Sequence, residues 1–201
     1  KLTPWRPDRI LVDPFVGSGT IIIEAAMMAA NIAPGMHRSF TSNTWSNLVP
    51  KSIWNDVIEE ANDVIDTNVE THLQGYDIDD KVLKIARDNA ARAGVADLVH
   101  FQNRDVADLS HAKKYGFIIT NPPYGERLEE KEALPQIYTA LGNAFNKLDD
   151  WSAYVITPYE KIEKDFNKKA TKKRKLYNGM IKTYLYSFEG KKPPKRNREA
   201  N

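Results

Sequence analysis

The chain has 201 residues, 41% of them hydrophobic and 28% charged, and no cysteine. That composition suits one ordinary soluble globular domain with a sizeable core, and it excludes disulfides, thiolate metal sites and cysteine nucleophiles. The net charge of +2 hides an asymmetry: residues 161–201 carry 14 Lys and Arg against 4 Asp and Glu, so the rest of the chain is acidic. A separated basic end points to a polyanionic partner, although its last stretch, Lys191–Asn201, reads as a solvated, disordered tail. The four histidines are scattered without ligand spacing, so no metal is expected. No apolar run reaches membrane-spanning length and no secretory signal opens the chain, so a cytoplasmic setting without a membrane partner is expected. Lys1 is not Met and the first strand follows within a few residues, as in a piece of a longer protein.

Ile10-Leu11-Val12 reads as a short buried strand running into Asp13-Pro14-Phe15-Val16-Gly17-Ser18-Gly19-Thr20. The spacing predicts a helix from Ile21 to about Ala30, stopped before Pro34-Gly35. Strand, glycine-rich turn and helix form the first unit of a doubly wound sheet. An irregular stretch from about Ala33 to Ser52 follows, then a helical periodicity from Ile53 to about Val69. His72–Asp77 is a second strand ending in an acid, with Asp79 or Asp80 placed to cap a helix that stops at Gly94. Val99–Asn103, Gly116–Thr120 and Trp151–Thr157 are further strands, and Leu134 to Leu148 is an amphipathic helix. Lys173–Leu176 and Ile181–Phe188, around Asn178-Gly179, read as a hairpin with a tight turn. The expected fold is α/β: doubly wound, with a mainly parallel seven-stranded sheet and an antiparallel edge hairpin. Residues 1–190 form one domain and 191–201 the tail.

Asn121-Pro122-Pro123-Tyr124 closes the fourth strand. An Asn oxygen can accept from a planar NH2 group, a proline carbonyl can accept a second bond, and a Tyr face can stack on a flat substrate. The same four residues also suit a plain strand-ending turn. Gly17 and Gly19 let the backbone approach a ligand, ahead of a helix N-terminus that favours a negative group. Asp77 and Asp105 end the next two strands, where open α/β sheets bind ligands; either could instead be a helix cap. With the glycine turn they describe an adenosine site. Ile22 stands where a nicotinamide-binding turn would carry its third glycine.

On Asp13–Thr20, Gly75-Tyr76-Asp77-Ile78-Asp79, Asp105 and Asn121–Leu128, the chain resembles the class I S-adenosylmethionine-dependent methyltransferases of exocyclic amines. Through Gly125-Glu126-Arg127-Leu128 and Asn31–Gly35 it is similar, more narrowly, to the THUMP-associated RNA methyltransferases, such as the large-subunit rRNA guanine-N2 enzymes. The resemblance implies S-adenosylmethionine as cofactor, held by Asp13, Pro14, Phe15, Gly17, Gly19 and Thr20, by Asp77 and Ile78, by Asp105 and Val106, and by Asn121. It implies a catalytic Asn121, Pro122, Pro123 and Tyr124, with guanine N2 of 23S rRNA as acceptor. Adenine N6 of DNA or RNA, glutamine in a protein, a noncatalytic cofactor- or RNA-binding module and a nicotinamide oxidoreductase are the alternatives. Arg127, Arg38, Lys172 and Lys173 are candidate substrate contacts, Arg38 together with Phe40 and Trp45. The resemblance implies an upstream THUMP domain for RNA and a segment just before Lys1 that helps close the cofactor site. Asp77 also follows Gly19 by 58 positions, where a compact unit needs about 20; the narrower family shares such an insertion.

Overall fold

Seven strands lie in one sheet in the order β3-β2-β1-β4-β5-β7-β6 in this computed structural model, which describes residues 2–36, 38–125 and 128–194, without the side chains of residues 128–130. The strands are β1 (Leu11–Asp13), β2 (Leu73–Asp77), β3 (Val99–Asn103), β4 (Phe117–Thr120), β5 (Ser152–Thr157), β6 (Lys172–Asn178) and β7 (Ile181–Phe188). The first five pair in parallel, and β7 is antiparallel to both β5 and β6. The expected mixed sheet with an antiparallel edge hairpin is therefore the observed one. The strand order reverses between β1 and β4, and the crevice above that point is where such sheets bind ligands.

The central strands are buried on both faces, which is why they read as unbroken apolar runs. Val12 and Ile118 face a cluster with Tyr138, Leu141 and Phe145, all on helix α4 (Leu128–Asn146). Leu11 and Phe117, one residue away, point to the opposite face. There they pack with Ile22 and Ala26 of helix α1 (Thr20–Ala29) and Leu83 and Ala86 of helix α3 (Asp80–Arg92). Asp79 is the cap of α3, its carboxylate accepting from the Lys81 N–H at 2.8 Å.

Two elements differ in detail from the pattern expected of them. Helix α2 forms, but over Lys51–Asp63, and none of its residues is buried. Its periodicity specifies a helix without specifying a surface to cover it. The hairpin turn falls one residue later than Asn178-Gly179: Asn178 still pairs with Ile181, so Gly179 and Met180 are the two central residues. Gly179 takes a φ of +60° while Met180 is not left-handed, so the glycine supplies the one positive φ the turn needs. Among the described residues no helix is long and apolar enough to cross a membrane. Of the expected tail, Lys191 approaches Asp150 at 3.7 Å, and residues 195–201 lie outside the described residues.

Candidate active site

The sheet ends around the reversal point converge on a cleft in two chambers. The first, about 640 Å³, is lined by Pro14, Phe15, Gly17, Asp77, Ile78, Asp105, Val106 and Pro123, and by Gln136 and Ile137 of α4. The second, about 440 Å³, is lined by Asp13, Thr20, Ile156 of β5 and, from the hairpin, Leu176, Tyr177, Asn178 and Thr183. Phe15, Gly17 and Asn121 border both.

The glycine turn is held by main-chain bonds. The Val16 N–H donates to the Tyr76 carbonyl at 2.9 Å, tying the turn to β2, and the Asn89 amide of α3 donates to the Ser18 carbonyl at 2.8 Å. Gly17 has a φ of +52° with no atom within 4 Å of where a Cβ would stand, so it opens onto the cleft. Gly19 has a φ of +91°, and a Cβ there would press on Ile23 and Ala86. The first glycine thus gives ligand access and the second gives close helix packing.

Asp77 is both a frame and a donor-seeking edge. Its Oδ2 accepts from the Gly17 N–H at 3.1 Å and its Oδ1 from the Asp79 N–H at 3.1 Å. Each oxygen keeps a lone pair for a hydroxyl in the first chamber. Asp105 caps a short 3-10 turn, its Oδ1 accepting from the Ala107 N–H at 2.8 Å, and still borders the chamber. The cap bond therefore leaves Asp105 on the chamber wall. Two acids at neighbouring strand ends, with Ile78 and Val106 as apolar walls, fit a nucleoside with two ribose hydroxyls and a flat base.

Asp13 is buried at the end of β1. The Thr120 hydroxyl donates to its Oδ1 at 2.6 Å, and the Phe15 N–H donates to the same oxygen at 3.1 Å. Burial pushes the Asp13 carboxyl up to about 7, against the pull of those two bonds and with a further rise from the Asp77 charge. The Asp13–Thr120 bond joins the glycine turn to the residue just before Asn121, across the reversal point.

At Asn121 the side-chain Oδ1 accepts from the Tyr124 hydroxyl at 2.6 Å, and the Asn178 amide donates to that hydroxyl at 3.3 Å. The Asn121 oxygen retains a second lone pair for an amine N–H. Behind the turn, the buried Tyr138 shares a hydrogen bond of 2.5 Å with Thr157 and lies 3.5 Å from the Pro123 carbonyl. Burial raises the Tyr138 phenol well above its ordinary value, so it stays neutral.

The expected cofactor residues gather at the cleft, with Thr20 in the second chamber and Gly19 behind the turn. Of the expected substrate residues, Arg38, Lys172 and Lys173 do not line it. Arg38 lies over the Phe40 ring at 4.7 Å, and Phe40 and Trp45 are exposed. Lys172 and Lys173 sit on the edge strand β6, where the Lys173 ammonium lies over Tyr184 at 3.9 Å. Arg127 lies outside the described residues. Sequence reasoning missed Thr120, Ile156, Leu176, Asn178 and Thr183. Thr120 carried a signal, a polar residue closing an apolar strand beside a second strand that ends in Asp13.

A glycine turn and strand-end acids beside an Asn-Pro-Pro-Tyr turn on this sheet are the marks of a methyltransferase domain. Residues 1–187 match the family described as RMKL-like, methyltransferase domain, and the chain belongs to that family. It is 45% identical over 201 residues to the Bacillus subtilis (strain 168) protein named "Putative RNA methyltransferase YpsC", covering 100% of this chain and 52% of that protein. It is 39% identical over 176 residues to "Ribosomal RNA large subunit methyltransferase K/L" of Shewanella baltica (strain OS185), covering 85% of this chain and 25% of that one. Among solved structures, "SMU.472, a putative methyltransferase complexed with SAH" superposes with a TM-score of 0.90 at 40% identity, over 96% of this chain and 51% of that one. A "predicted N6-adenine-specific DNA methylase from Listeria monocytogenes str. 4b F2365" superposes with a TM-score of 0.87 at 46% identity, over 94% of this chain and 49% of that one. The chain thus spans about half the length of YpsC and a quarter of the Shewanella protein.

Proposed function

We propose that this domain is the catalytic part of an RNA methyltransferase that moves a methyl group from S-adenosylmethionine to the exocyclic amine of a base, guanine N2 in large-subunit rRNA. The observation that carries the reading is the position of Asn121 on the border of both chambers, with the strand-end acids on one side and the hairpin on the other. The SAH-bound relative and the two RNA-methyltransferase names support the cofactor and the polymer. The name of the Listeria relative favours adenine N6 as the second reading.

S-adenosylmethionine, when bound, supplies a methyl group on a positively charged sulfur. Asp77 and Asp105 orient the nucleoside part, the former by accepting from ribose hydroxyls and the latter from the adenine amine. The α1 N-terminus leaves N–H groups for a carboxylate beside Gly17, whose own N–H is engaged by Asp77. At the border of the second chamber the acceptor base leaves its stack and lies against Tyr124, whose hydroxyl joins Asn121 and Asn178. The Asn121 oxygen and the Pro122 carbonyl take the two amine hydrogens, which turns the nitrogen lone pair out of conjugation and towards the methyl group. Holding the two reacting atoms in line accounts for much of the rate. The nitrogen carries positive charge only after transfer, so no strong base is required, and its proton leaves to solvent or backbone.

The basic hairpin supports contact with RNA phosphates by Lys172 and Lys173, and Arg127 after the Asn-Pro-Pro-Tyr turn is assigned the same task from the sequence alone. The wider basic end accords with a THUMP-type RNA-binding domain upstream and a cytoplasmic site of action. Residues 1–190 are the methyltransferase domain in this reading, and 191–201 a solvated extension. The test is mass spectrometry of nucleosides from 23S rRNA of cells with and without the full-length protein. Loss of N2-methylguanosine is the expected result. Loss of N6-methyladenosine instead would transfer the assignment to the second reading, and no change in either would overturn both.

A further inference from the structure

The chemistry at Asn121 leaves the hairpin wall of the second chamber without a task. Asn178 closes β6 and borders that chamber, and its Nδ2 donates to the Tyr124 hydroxyl at 3.3 Å. The same hydroxyl donates to Asn121 at 2.6 Å, so one oxygen links the two carboxamides. An Asn at a hairpin end commonly bonds its own backbone two residues on; this one reaches across to a turn 54 residues earlier. From β7, Thr183 borders the same chamber, is fully buried and has a hydroxyl with no partner among the described residues. A buried hydroxyl without a partner is costly unless the chamber's occupant supplies one.

We propose that Asn178 is a specificity-determining residue of the acceptor pocket, reading the ring N–H and carbonyl edge of guanine beside the amine held at Asn121, with the Thr183 hydroxyl as a second contact. The inference rests on amine methylation at Asn121. A carboxamide offers one oxygen that accepts and an NH2 with two hydrogens. One of those hydrogens goes to Tyr124, which leaves an acceptor and a donor for the base. Next to its N2 amine, guanine presents the N1–H donor and then the O6 acceptor, the complement of that pair. Next to its N6 amine, adenine presents only ring acceptors and leaves the carboxamide oxygen idle. A good two-bond match of this kind discriminates by about tenfold or more.

The test uses the full-length protein and two rRNA fragments. One carries guanosine at the methylated position. The other carries 2,6-diaminopurine there, which keeps the C2 amine but has a bare N1 and an amine at C6. The wild type is expected to favour guanosine by about tenfold or more in kcat/KM. In Asn178→Ala that preference falls to within about threefold through loss of the guanosine rate, while affinity for S-adenosylhomocysteine, measured by calorimetry, stays as in the wild type. Tyr124→Phe cuts the link between the carboxamides but leaves the reading groups, so it slows both fragments and keeps the preference. An unchanged preference in Asn178→Ala, or an equal loss on both fragments, overturns the proposal, the second outcome leaving Asn178 as a support for Tyr124 alone. No transfer by the wild type to either fragment overturns the guanine reading itself, and this inference with it.

Discussion

The two chambers that meet at Asn121 are built by opposite means. The first stands on parallel strands whose acids are already braced by backbone N–H groups, as Asp77 is by Gly17 and Asp79. The second leans on an antiparallel edge. Its hairpin strand β6 is exposed along nearly its whole length and presents Lys172, Lys173, Arg174 and Lys175 in succession. In the proposed function the contrast separates two tasks. A donor molecule of fixed shape suits a rigid, main-chain-framed cavity. A polymer acceptor needs an open border, reached by side chains that can shift and by charge that acts at a distance.

The most damaging change to the division should be at its border. Asn121→Ala is expected to lower single-turnover methyl transfer by about two to three orders of magnitude, while leaving affinity for S-adenosylhomocysteine within about threefold; a comparable loss of affinity would mean that Asn121 belongs to the donor chamber instead. Asp77→Ala acts on the donor side alone: a charge-assisted bond and the brace on the glycine turn are lost, and calorimetry should register about a 10- to 100-fold weaker affinity for S-adenosylhomocysteine.

Between the chambers lies the Asp13–Thr120 bond. Thr120→Val is expected to cost about 1–3 kcal/mol in denaturant unfolding, because a buried carboxyl loses its hydroxyl donor. Asp13 also sets a pH dependence. Its native value, about 7, lies above its ordinary value of 3.8. The native state therefore binds more protons than the unfolded chain in that window, and stability falls as pH rises through it. Asp13→Asn removes the effect, so its melting temperature should gain on that of the wild type between about pH 4 and 7; parallel curves would show that Asp13 does not titrate there. The smallest effect belongs to the hairpin. Lys172→Ala with Lys173→Ala should weaken RNA binding by only several-fold and reduce the salt slope by about 1 for each phosphate no longer neutralised, with the affinity for S-adenosylhomocysteine unaltered.

Much of the first chamber's wall was legible in the chain because each of its parts is local. A strand, two glycines and a helix start are contiguous, and an acid at a strand end declares itself. Strand β3 occupies Val99–Asn103 and β7 occupies Ile181–Phe188, as their patterns predict. The second chamber was less legible because its partners are distant. Thr120 meets Asp13 across 107 residues, and Asn178 meets Tyr124 across 54. No spacing rule announces such pairs; they follow from the strand order, which sets β7 between β5 and β6 and carries the hairpin's turn towards the cleft. The company of Arg38 with Phe40 is local in sequence and was legible as such: its guanidinium rests on Phe40, and neither residue lines either chamber. Helix α2 shows the limit of periodicity, which identified the helix while leaving its apolar side, Ile53, Val57 and Ile58, in solvent.

The exposure of β6 has a consequence for the solubility of the domain. An edge strand with unpaired N–H and C=O groups on its outer side is a template for another chain to add to, and lysines are a common means of preventing that addition. The four consecutive basic residues of β6 therefore guard the sheet against self-assembly whether or not RNA is present. Stripping their charge exposes a β-edge that copies of the domain can share, so a loss of RNA binding in such variants has to be separated from association by measuring molecular mass in solution.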